Sequence, residues 1–149
     1  MKAEYQLQID AIKGERIFYE EYGELIFVSD GHVGVYLKDK ELKIDKSKMI
    51  KFNRGKDSIS LHPEELLKER TAAIQTSFAI KMPVRGYTIK IKAKESGEHC
   101  FVNEKYLKMF NGYNNLFIKS KNDPVLVYRF GVPYGLILPM HVTITEEET

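Results

Sequence analysis

The 149-residue chain carries 23 basic and 21 acidic side chains, so its formal net charge is only +2 at neutral pH. That balance gives no argument for nucleic-acid binding by itself, because phosphate recognition needs positive charge that is concentrated on one face. The length suits one domain with its own core, and no stretch approaches the roughly twenty apolar residues that a membrane-spanning helix requires.

The amino-terminal residues predict one short helix. Leu7 and Ala11 recur at helical spacing within residues 5–14. Gly14 is the residue type that most often follows the end of a helix. The same residues lack the apolar core of a secretory signal, so we expect a cytoplasmic protein.

An antiparallel hairpin is the strongest local prediction in the chain. Strand-favouring residues fill segments 16–19, 24–29 and 32–37. Asp30-Gly31 lies between the last two segments, and this dipeptide favours a two-residue hairpin with a type I′ turn.

The middle of the chain is polar at first and then helical. Residues 38–56 contain eight basic and three acidic side chains. Pro63 suits the first position of a helix, which has acidic residues in its first turn and basic residues near its end. The end of this helix stays open, because residues 71–80 could continue it or form a strand that stops at Pro83.

The last third predicts a strand, a short helix and a meander. Residues 87–93 alternate between apolar and polar side chains, as a half-buried strand does. Asn103 is a favourable N-cap for a helix over residues 104–110. Three further strands are predicted at residues 116–118, 125–130 and 136–138.

No set of side chains converges on a catalytic or metal site. Ser29, Asp30 and His32 crowd into one tight turn, which favours a role in the turn over a role in catalysis. His99 and Cys100 are adjacent and point to opposite faces of a strand. The single cysteine cannot form an internal disulfide, and its apolar neighbour favours a buried thiol. We therefore expect no enzyme, no cofactor and no metal.

Two segments resemble the sliding DNA clamp, the beta subunit of DNA polymerase III. Residues 29–32 read Ser-Asp-Gly-His, similar to a turn in clamp domains. Residues 100–142 are similar to the final clamp repeat, with a short helix, the Asp123-Pro124 turn and a closing apolar run. The resemblance is strongest to short clamp-like proteins of phages and prophages of Gram-positive bacteria.

The resemblance implies an α+β fold. It implies a single DNA-clamp-like domain over residues 1–142, with two similar halves. Each half would have one short helix packed on a curved antiparallel sheet. Residues 143–149 would form an acidic carboxy-terminal tail.

The resemblance also implies functional residues. In clamps the closing strand helps to build a groove for short motifs of replication proteins, and the helices face DNA. The alternative for the closing segment is an ordinary core strand. The lysine row at positions 90, 92 and 94 is interpreted as a solvated outer face. The implied groove residues are Leu138, Pro139, Met140 and His141, and the implied DNA contacts are Lys13, Lys105 and Lys108.

Together these features predict a non-catalytic binding module of a phage or prophage that acts in DNA replication or its regulation. Its partner would be a replication protein or another host protein. One copy would bind DNA weakly and with strong salt dependence, and it would have to self-associate to encircle DNA. The alternative is a small inhibitor or regulator of a host protein that uses the clamp-like fold only as a scaffold.

Overall fold

Ten strands join into one mixed sheet in the computed structural model, which describes residues 2–53, 60–110, 112–113 and 115–142. Three α-helices accompany the sheet in the described residues, so the fold is α+β. None of these helices has the length and apolar character needed to cross a bilayer. The acidic tail predicted for residues 143–149 lies outside the described residues.

The described helices are Ala3–Ile12 (α1), Pro63–Lys68 (α2) and Glu104–Met109 (α3). The strands, in chain order from β1 to β10, are Phe18–Tyr22, Leu25–Ser29, Val33–Lys38, Ile50–Lys51, Thr71–Met82, Gly86–Ala93, His99–Asn103, Asn115–Ile118, Val125–Arg129 and Val132–Ile137. Their order across the sheet is β4-β1-β2-β3-β10-β9-β8-β5-β6-β7.

The prediction of a wholly antiparallel sheet is wrong at one edge. Strand β4 pairs parallel with β1, with Phe18 opposite Ile50, whereas the other pairings among the described strands are antiparallel. A parallel partner requires a crossover connection. Here the polar residues 39–49 make that crossover in two short 3-10 turns.

The amino-terminal helix is confirmed, and its end is a Schellman motif. The N–H of Gly14 donates to the Ala11 carbonyl at 3.1 Å, and the N–H of Glu15 donates to the Asp10 carbonyl at 3.0 Å. Gly14 has φ +92°, which glycine adopts at little cost. These bonds satisfy carbonyls that the helix end would otherwise leave unpaired.

The predicted hairpin is present as β2 and β3, but the predicted turn type is wrong. A type I′ turn needs two consecutive residues with positive φ, and within residues 30–33 only Gly31 has one, at +95°. The Asp30 carboxylate instead accepts the N–H groups of His32 at 2.8 Å and Val33 at 3.0 Å. The side chain of Asp30 therefore closes the turn.

The open question in the middle of the chain resolves to a strand. Helix α2 begins at Pro63 as predicted, and His62 Nδ1 accepts the N–H of Glu64 at 3.3 Å. The chain after α2 is extended through β5 and turns at residues 83–85 into β6.

The last meander is confirmed with shifted bounds. The predicted break at residues 131–133 is shorter, because Val132 and Pro133 already belong to β10. The pairing of β10 with β9 shifts between Pro133 and Gly135, and such a bulge accommodates a proline.

A helix followed by a three-stranded meander occurs twice. Helix α1 precedes β1 to β3, α3 precedes β8 to β10, and the two meanders meet where β3 pairs antiparallel with β10. Both helices pack on one apolar cluster, to which α1 gives Leu7 and α3 gives Leu107. The expectation of one helix in each half accounts for α1 and α3 but not for α2. Helix α2 places Leu66 in a second apolar cluster together with Phe27 and Leu136. Residues next to Phe27 and Leu136 in their strands belong to the first cluster.

The sheet is strongly curved. Strand β7 lies five positions from β10 in the sheet, which is about 24 Å across flat strands. Yet the N–H of Met140 donates to the Phe101 carbonyl of β7 at 2.7 Å, only three residues beyond Ile137. Three residues reach roughly 10 Å, so the sheet must curl until β7 approaches the end of β10.

Two glycines at the central strand pair allow aromatic rings to lie against the backbone. A Cβ atom at Gly34 would overlap the ring of Phe27. A Cβ atom at Gly135 would overlap the ring of Phe110 and the carbonyl oxygen of Gly34. Each glycine therefore leaves the space that a buried phenylalanine fills.

We predict that Gly135→Ala lowers the free energy of unfolding by about 1 to 3 kcal/mol, because the added methyl group overpacks the core. Urea denaturation followed by circular dichroism measures the change. Gly97→Ala is the matched control, since a Cβ atom there meets nothing within 4 Å. Equal stability of the two variants would contradict the proposed close packing.

Candidate functional site

An apolar groove of about 230 Å³ lies beside the β2/β3 turn. Phe27 and Leu136, which belong to the cluster under α2, form part of its floor. Polar groups come from Glu20, Ser29 and His32. The apolar side chains that we assign to the groove are those of Phe18, Phe27, Phe52, Leu61, Leu136 and Leu138.

Leu138 reaches this groove through a backbone contact with the turn. Its N–H donates to the His32 carbonyl at 2.9 Å, directly after β10 ends at Ile137. The Leu138 side chain stays 43% exposed. The turn therefore holds an apolar side chain at the groove where an incoming group can reach it.

The other three groove candidates lie elsewhere. Residues 138–142 follow β10 and belong to no strand, so the alternative of a core strand is wrong for them. Met140 bonds to β7, and the Thr88 hydroxyl donates to its sulfur at 3.3 Å. Pro139 and His141 are absent from the groove lining. Met140 thus connects the segment after β10 with β6 and β7.

The predicted DNA-contact lysines lie at the end of α1 and on α3. Lys13 is exposed just after α1. Lys108 pairs with Glu104 at 3.1 Å, so its charge is offset on its own helix. The Lys105 Nζ lies 5.0 Å from the ring centre of Tyr106, which in turn stacks on His32 at 6.5 Å.

The side chains of the β2/β3 turn are engaged in holding its backbone. The Ser29 hydroxyl donates to the Val33 carbonyl at 2.9 Å and accepts the N–H of Gly31 at 3.0 Å. The Asp30 carboxylate already accepts two backbone N–H groups. Within the described ranges, no three histidine, cysteine, aspartate or glutamate side chains are grouped as a metal site.

Cys100 is fully buried on β7 as a free thiol. Burial raises its pKa to about 12, and the positive charge of Arg70 lowers it only slightly in return. Because the thiolate is the reactive form, we expect this cysteine to react slowly in the folded protein.

A buried ionic cluster was missed by the sequence analysis. Glu4 is 6% exposed on α1, and its carboxylate lies 3.3 Å from Nη2 of Arg129. The Arg129 guanidinium also lies 4.4 Å from the ring centre of Tyr134. Burial raises the pKa of the Tyr134 phenol, and the negative charge of Glu4 raises it further.

The signal for this cluster was present in the helical spacing. Residues 3, 4, 7, 8 and 11 form the buried face of α1, and two of them are Glu4 and Gln8. Gln8 satisfies its amide through the carbonyls of Glu4 and Glu41. Polar residues on an otherwise apolar stripe indicate buried partners.

We predict that Cys100 reacts with a thiol reagent at pH 8 only when the protein unfolds. The raised pKa keeps the thiol protonated, and burial keeps the reagent away. Absorbance of released thionitrobenzoate measures the rate with and without urea. Fast stoichiometric labelling of the native protein would be inconsistent with a buried thiol.

We predict that Arg129→Met lowers the free energy of unfolding by about 1 to 3 kcal/mol, because it leaves the buried Glu4 carboxylate without compensation. The double variant with Glu4→Gln should recover part of this loss. Lys108→Met, which breaks an exposed pair, should change stability by less than about 1 kcal/mol. Urea titrations of all three measure the coupling, and a double variant as unstable as Arg129→Met would contradict it.

Comparisons with known proteins leave the function to be argued from this geometry. No protein-family model matches the chain. No curated protein and no solved structure matches it either.

Proposed function

We propose that the chain is a non-catalytic, clamp-like binding module that acts in DNA replication or its regulation. Its groove would capture a short apolar segment of a protein partner. The observation that carries the proposal is the position of Leu138, which the clamp resemblance implies as a groove residue and which lines an apolar groove.

The repeated order of elements supports the clamp-like arrangement. A helix and a three-stranded meander occur on each side of the β3–β10 pair, and α1 and α3 pack on one apolar cluster. The resemblance implies two such halves. The antiparallel pairing of β3 with β10 is compatible with the pseudo-twofold relation that the resemblance implies.

The size and chemistry of the groove favour a peptide side chain over a small-molecule ligand. Its volume of about 230 Å³ is below the range of roughly 300 to 1,000 Å³ that is usual for small-molecule pockets. Aromatic rings from Phe18, Phe27 and Phe52 offer apolar contact, whereas the Ser29 hydroxyl is already hydrogen-bonded within the turn. This lining suits an apolar anchor.

We predict that Leu138→Gln weakens partner binding about 10-fold or more, because burying a leucine side chain contributes roughly 1.5 to 3 kcal/mol. Ile12→Gln is the matched control, since Ile12 is 64% exposed and lies on α1, outside the groove lining. Affinity purification of both variants from the native host, followed by mass spectrometry and titration with the purified partner, measures the effect.

The identity of the partner distinguishes the proposed replication module from the alternative, an inhibitor or regulator of a host protein. A DNA replication protein that binds the wild type and Ile12→Gln, but not Leu138→Gln, would support the proposal. A partner with no part in DNA metabolism would favour the inhibitor, and a partner that ignores Leu138→Gln would remove the groove from consideration.

A further inference from the structure

A row of lysines lies on the outer face of the β5–β7 part of the sheet. Lys90, Lys92 and Lys94 alternate along and just beyond β6, while Ile91 and Ala93 between them point into the core. Alternate residues of a strand are about 6.6 Å apart on one face. The three lysine side chains therefore leave the backbone along one line.

The positive charge of this region is unopposed within its own strands. Residues 71–94 contain no aspartate or glutamate, and besides the three lysines of the row they include the cations Lys81 and Arg85. In the described part of the chain, the recorded ion pairs involve Glu4, Glu21, Glu69 and Glu104, and none includes these five cations. The nearest acids in sequence, Glu95 and Glu98, lie in the turn beyond the row.

Met140 covers the lysine face at Thr88, whereas the face is open beside Lys92 and Lys94. Helix α2 contacts β9 on the other half of the sheet and gives Leu66 to the cluster there. Beside the lysine row, Ile74 lies opposite Lys92 and is 49% exposed. A ligand could thus reach both the charges and the apolar surface between them.

Aromatic side chains accompany the cations. The Lys90 Nζ lies 5.7 Å from the ring centre of Phe78. The Phe78 ring packs edge-on against Phe101 at 6.2 Å, and Phe101 contacts His99 at 5.6 Å. Phe78 and His99 are each half-buried.

We propose that this face, defined by Phe78, Lys90, Lys92, Lys94 and His99, binds single-stranded nucleic acid. A line of cations that follows the phosphates, together with rings on which bases stack, is the combination used for single strands. The charge complementarity selects a polyanion. The partly exposed rings select one whose bases are free to stack.

A duplex fits this face less well. Its sequence is read by helices or ribbons that enter a groove, whereas Lys90 and Lys92 lie on a strand flanked by β5 and β7. An acidic protein would satisfy the charges without using the rings. None of the five residues that define this face lines the apolar groove.

The test is fluorescence anisotropy of the full-length protein with labelled oligothymidylate of 20 nucleotides, at several salt concentrations. We expect Lys90→Gln with Lys92→Gln to weaken binding about 10-fold and to reduce the slope of log K against log salt by about 1.4. Lys105→Gln with Lys108→Gln removes the same charge from α3 and should leave binding nearly unchanged. Phe78→Leu should weaken binding without changing the slope.

Each alternative result overturns the inference. Absence of binding by the wild type at low salt, tighter binding of a 20-base-pair duplex, or an equal loss in the two lysine variants would each do so. Leu138→Gln should bind the oligonucleotide as the wild type does, so failure of the groove proposal is distinguishable from failure of this one. Circular dichroism and the urea midpoint verify that every variant is folded.

Discussion

The contact between β3 and β10 is the constraint on which the rest of the structure depends. Residues 33–35 of β3 pair with residues 135–137 of β10 and join the two meanders into one sheet. Gly34 and Gly135 lie in this seam, where the rings of Phe27 and Phe110 occupy the space that side chains would need. The two rings belong to different apolar clusters. A substitution at either glycine therefore affects the packing of both clusters.

The groove follows from the same seam. Gly34 and Leu136 contribute to its lining, and the segment after β10 places Leu138 there through the His32 carbonyl. The next residues then continue to β7, where Met140 bonds to Phe101. The same short segment thus places Leu138 at the groove and connects the end of β10 with β7 across the curled sheet.

Local signals in the sequence predicted the elements well, whereas long-range contacts determined what was missed. Asn103 caps α3 as expected, with its side chain accepting the N–H of Lys105 at 3.0 Å. The parallel pairing of β4 could not be predicted, because periodicity describes one strand and carries no register with a distant one. Met140 was assigned to a groove from the clamp resemblance, and nothing local in the sequence indicates that it meets Thr88 across the curled sheet.

The distribution of charge changes the expected division of roles between helices and strands. The resemblance directs attention to the helices, yet α3 offsets Lys108 with Glu104, and the buried face of α1 carries a carboxylate. The strands β5 and β6 carry their cations without any acid between residues 71 and 94. Since electrostatic attraction to phosphate depends on local charge density and not on net charge, the outer sheet face is the stronger candidate for a polyanion, and the groove is left for a protein segment.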